Sequence, residues 1–152
     1  MSNGPVPVRR AYIDGRFGQM HVRIAEPETP SDSVAARPLM CFHLNPFSGL
    51  MFETWLGEIG RDRIAIAVDT PGYGSSDSPS SPPPMAEYAG AMGDVADALA
   101  ITELDLLGFH TGGRIAVQLA LLRPETVKHI VLAGRHVQPW GTGQALRLHG
   151  HQ

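Results

Sequence analysis

The chain is 152 residues long, a length typical of one domain. Hydrophobic residues make up 43% and charged residues 18%, which supplies a core and excludes a disordered chain. Its 12 basic and 15 acidic residues give a net charge of -3, without the basic excess needed to neutralise phosphates, so no nucleic-acid partner is expected.

Cys41, the one cysteine, can form no internal disulfide, and no Cys-x-x-Cys pair exists for zinc, which fits a reducing cytoplasm. The first residues lack the apolar stretch of a signal peptide, and no run of about 18 apolar residues is present to cross a bilayer, so no membrane association is expected.

Arg9–Ile13 and Met20–Ala25 alternate in character on either side of Asp14-Gly15-Arg16-Phe17-Gly18, whose Asp-Gly favours a tight reversal, and predict an antiparallel hairpin. After a loop over Pro27–Arg37, the apolar run Pro38–His43 reads as a strand buried on both faces. Ser48 is a helix cap, and Phe52, Trp55, Leu56 and Ile59 fall on one helical stripe that should face the sheet as core. Arg63–Asp69 is a second buried strand, ending in turn-rich residues 70–77 and a proline cluster. Met85–Ala100 has helical periodicity, with Tyr88, Met92, Val95 and Leu99 on one face. Leu104–Phe109 is a third buried strand and runs into a helix over Ile115–Arg123, apolar nearly all round and stopped by Pro124. Val127–Ala133 is a fourth strand of the parallel type.

Alternation of strand and helix calls for an α/β fold, a three-layer sandwich with a mostly parallel sheet covered on both faces. Residues 1–134 form the domain. Residues 135–152 read as an irregular tail with three histidines and no acid, either a bland terminus or the product of a shifted reading frame.

The segment Gly108-Phe109-His110-Thr111-Gly112 lies where a buried strand turns into a helix, the setting of a nucleophile elbow. Four stretches in order carry a resemblance to the α/β-hydrolase superfamily: Leu39–Phe42 with His43-Leu44-Asn45-Pro46; Asp69-Thr70-Pro71-Gly72-Tyr73-Gly74-Ser75-Ser76-Asp77; Asp105–Gly113; and Leu122–Leu132. The resemblance covers roughly residues 9–134 and implies the amino-terminal half of that fold, a truncated form ending in an exposed sheet edge prone to self-association. It also implies a hydrolase or acyl-transfer protein acting on ester- or amide-like small molecules. Elbow glycines Gly108 and Gly112 and oxyanion amides of Leu44 and Thr111 follow from the same likeness.

His110 stands where the family places serine, and Leu44 where it places glycine. Downstream of His110 the one acid is Glu125, so no serine, acid and histidine triad is recognisable and the chain is expected to be inactive alone. His110 is a nucleophile, a general base on water, or a packed residue on a turn that keeps the family's shape. The alternative to an enzyme is a non-catalytic fold remnant or small-molecule binding module. His43 and His110 together raise a two-histidine metal site, but no third ligand has a suitable spacing, so no metal is expected. Asp69 and Asp77 are read as turn-bracing acids. Gly72 and Gly74 lack the lysine of a phosphate loop, so no cofactor is expected.

Overall fold

The computed structural model describes residues 3–29 and 36–134; the tail expectation for 135–152 lies outside the described residues. Strands β1 (Val8–Gly15) and β2 (Gly18–Ala25) form the hairpin. Then come β3 (Leu39–Phe42), a 3-10 turn over Gly49–Phe52, helix α1 (Glu53–Ile59) and β4 (Ala65–Val68). Helix α2 (Met85–Ala98), β5 (Leu104–Phe109), helix α3 (Thr111–Leu122) and β6 (Val127–Ala133) complete the order. The sheet runs β1-β2-β4-β3-β5-β6. β1 and β2 are antiparallel, as are β2 and β4, and the pairs β3–β4, β3–β5 and β5–β6 are parallel.

The period of two along the strands sorts the core into two layers. Met40, Phe42, Ile66, Val68, Leu104 and Leu106 face α2 and α3, meeting Met92, Val95, Ile115 and Leu119. Cys41, Ala65 and Ala67 point the other way, against Phe52 and Leu56 of the 3-10 turn and α1. Large side chains therefore fill the α2–α3 side and small ones admit α1 closely. Burying each Phe or Leu contributes about 1.5–3 kcal/mol. Ser48 caps the 3-10 turn, its hydroxyl accepting from the Leu50 amide at 3.2 Å.

Four local expectations change. The hairpin reverses at Arg16-Phe17, because the ladder continues through Ile13↔Met20 and Asp14↔Gln19 to Gly15↔Gly18. Trp55 is 39% exposed while Leu56, one position on, is fully buried; a helix of seven residues turns too narrow a stripe inward to bury both. Helix α3 starts at Thr111, and Leu121 and Leu122 are exposed at its end, so only the Ile115–Leu119 side is core. Cover on the α1 side stops short of the β6 edge, where Val131, paired in register with Leu107, is 58% exposed.

Candidate functional site

Parallel pairing places the carboxyl ends of three strands at one rim. Phe42 lies level with both Val68 and Gly108, so His43, Asp69 and the residues after Gly108 leave the sheet side by side. Such a rim is where ligands bind in open α/β sheets.

His110 is the sharp point of that rim. It holds φ 52° and ψ -113°, left-handed backbone that costs a side-chain-bearing residue roughly 1–3 kcal/mol. The turn is pinned on both sides: the His110 amide donates to the Ala133 carbonyl at 3.0 Å, and the Gly113 amide donates to the His110 carbonyl at 2.9 Å. The imidazole packs edge-on to Phe109, with ring centroids 5.0 Å apart, and against Gly134, where a Cβ would stand 2.6 Å from His110 Cδ2.

The two flanking glycines have a steric cause. A Cβ at Gly108 would overlap Gly113 Cα, and one at Gly112 would overlap the Phe42 carbonyl oxygen. Only hydrogen side chains let α3 start directly on the end of β3.

The loop after β3 is tied to the same point. The Asn45 amide donates to Thr111 Oγ1 at 2.8 Å, which holds residues 43–46 against the start of α3. Leu44 and Thr111 amides donate no hydrogen bond to any described group, whereas the Leu44 carbonyl is engaged twice, by the Phe47 amide and by His43 Nδ1.

His43 is wholly buried, and both ring nitrogens are committed. Nδ1 donates to the Leu44 carbonyl at 2.8 Å and Nε2 accepts from the Thr70 amide at 3.0 Å. Burial pushes its pKa down, opposed by the Leu44 carbonyl and by Asp69, so the neutral Nδ1–H tautomer is the stable form. A ring so used has no nitrogen left for a metal. Among the described residues no set of three His, Cys, Asp or Glu side chains could hold a metal ion.

Asp69 is the bracing acid expected, and braces more than its own turn. Oδ1 accepts from the Gly49 amide at 2.7 Å and Arg23 Nη1 at 3.3 Å; Oδ2 accepts from His21 Nδ1 and the Ser75 amide, each at 3.0 Å. Asp77 accepts from the Gln19 amide at 2.8 Å. Sequence reasoning missed His21 and Arg23, although polar residues at i and i+2 inside an otherwise apolar strand were the available signal.

Glu125 does not join the site. It precedes Val127, which pairs with Leu104 at the start of β5, while His110 follows the end of that strand. The six residues of β5 separate them by about 20 Å at roughly 3.3 Å per residue.

Known proteins share this fold. The family model of the alpha/beta hydrolase fold matches residues 37–149. The 2-hydroxymuconate semialdehyde hydrolase of Pseudomonas sp. (strain CF600) is 37% identical over 112 residues, covering 68% of this chain and 38% of that protein. The crystal structure of naproxen esterase (carboxylesterase NP) from Bacillus subtilis superposes with TM-score 0.72 at 31% identity, over 83% of this chain and 42% of that one. The N-acyl homoserine lactonase AidH, in its E219G mutant complexed with N-hexanoyl homoserine, gives TM-score 0.70 at 30% identity, over 81% and 44%. The chain thus spans about two fifths of the length of these relatives. Among the described residues no helix is long and apolar enough to cross a membrane.

Proposed function

The chain belongs to the α/β-hydrolase fold family, and from that membership we propose a hydrolase-type protein acting on ester- or amide-like small molecules at the His110 rim. The observation that carries this reading is the strained turn at His110, kept by two glycines that admit no Cβ. Such a turn is the family's nucleophile elbow and lifts one side chain to the mouth of a helix. Residues 1–134 act as one core domain in this reading, and residues 135–152 as an appended tail.

The chemistry follows from placement. A substrate carbonyl oxygen sits between the Leu44 and Thr111 amides, which form the oxyanion hole. His110 takes a proton from a water that attacks the carbonyl carbon, and returns it to the departing alkoxide or amine as the C–O or C–N bond breaks. Glu125, the one acid after His110 in the sequence, is at the opposite rim, so these residues alone turn substrate over slowly. Cytoplasmic residence belongs to the same reading, since the chain's single cysteine can form no internal disulfide.

The position of Glu125 also favours a second reading, a binding module that keeps the family's shape without its chemistry. Hydrolysis of a chromogenic phenyl ester by the purified chain and by His110→Ala separates the two. Loss of a measurable rate in the variant supports chemistry at His110, and equal low rates in both proteins rule that chemistry out.

A further inference from the structure

On the outer part of the β1–β2 hairpin, away from the His110 turn, an open cleft of about 580 Å³ is lined by Arg10, Tyr12, His21, Arg23 and Ser75. Antiparallel register sets Arg10 directly opposite Arg23 and Tyr12 directly opposite His21, so all four side chains share one face. Two cations facing each other across a ladder repel, and negative charge held between them relieves that repulsion.

Among the described residues the counter-charge that reaches this face is one carboxylate. Asp69 reaches Arg23 Nη1 at 3.3 Å, but it also accepts from Gly49, His21 and Ser75, so its lone pairs are fully engaged. Arg10 has no ion pair among the described residues. Arg23 is nine-tenths buried, yet its Nε has no hydrogen-bond partner there, and an unmatched buried guanidinium donor costs about 1–3 kcal/mol. Tyr12 and His21 form a wall with ring centroids 5.2 Å apart, and Ser75 brings a hydroxyl from the loop after β4.

We propose that this cleft binds the oxyanion group of a small molecule, a phosphate or a carboxylate, between Arg10 and Arg23 with Ser75 as an added donor. The anion supplies the missing charge opposite Arg10 and fits the planar fork of a guanidinium. Binding there is independent of the His110 chemistry.

The test is an amide NMR titration of the whole chain with sodium phosphate and, separately, sodium acetate, at ionic strength held constant with sodium chloride. Saturable shifts confined to residues 10–12, 21–23 and 75 are expected. Phosphate alone saturating assigns a phosphate-type ligand, and acetate also saturating assigns a carboxylate class. Arg10→Gln, at an exposed position, should keep the spectrum elsewhere and weaken binding about tenfold, the loss of one charge-assisted hydrogen bond. Absence of saturable shifts with either anion, or unchanged affinity in Arg10→Gln, overturns the proposal.

Discussion

At the scale of single residues, the His110 turn is held in place by what its neighbours lack. Replacing Gly112 by alanine drives a methyl group into the Phe42 carbonyl oxygen, a backbone atom that cannot rotate away. The expected cost is about 3 kcal/mol, in the range of overpacking with backbone displacement. Urea unfolding of Gly112→Ala measures it, and a midpoint equal to that of the parent chain would show that α3 starts less tightly on β3 than described. His43 offers a second test through pH. Its folded pKa lies below the ordinary value of about 6.5, so between those two pKa values the unfolded chain binds a proton that the folded chain does not. Stability therefore falls as pH drops below about 6.5, by at most roughly 1.4 kcal/mol per pH unit for one group, and levels off beneath the folded pKa. The difference in thermal midpoint between the parent and His43→Gln, followed across that window, should shrink on acidification; a constant difference would mean that His43 charges freely in the fold.

At the scale of elements, strands were read more securely than helix faces, for a physical reason. A strand buried on both sides announces itself as an apolar run bounded by polar residues, and Ala65–Val68, buried at every position, lies inside the expected Arg63–Asp69. A short helix buries a stripe whose width depends on what it meets. Trp55 and Leu56 are adjacent in the sequence, but the Ala65 and Ala67 surface that α1 rests on accommodates Leu56 and leaves Trp55 half in water. The elbow glycines were legible because their spacing is local. The links through Asp69 were not, since they join β2 to the β4 loop over 46 and 48 residues, and only the register Arg23↔Ala67 brings those side chains together. Local patterns thus gave the backbone of the site, and long-range pairing decided which polar groups support it.

At the scale of the whole molecule, the sheet is asymmetric. One outer strand, β1, carries Arg9, Arg10 and Tyr12, whereas the other, β6, carries Val131 and Leu132, which are 58% and 41% exposed. Charged and polar side chains on an edge strand discourage further pairing, and apolar ones invite it. Among the described residues β6 is bonded only to β5, so its free row of amides and carbonyls lies beside an apolar surface. The chain spans about two fifths of its relatives' length, and β6 is the last strand among the described residues. A second copy of the chain is the partner expected at this edge, and sedimentation velocity over a range of concentrations should show association. Val131→Lys places a charge beside the free backbone groups while leaving the β5 side of the ladder intact, so it should shift the distribution towards monomer at equal concentration. If the parent chain sediments as a monomer throughout, or if Val131→Lys associates as strongly as the parent, contact between copies does not run through β6.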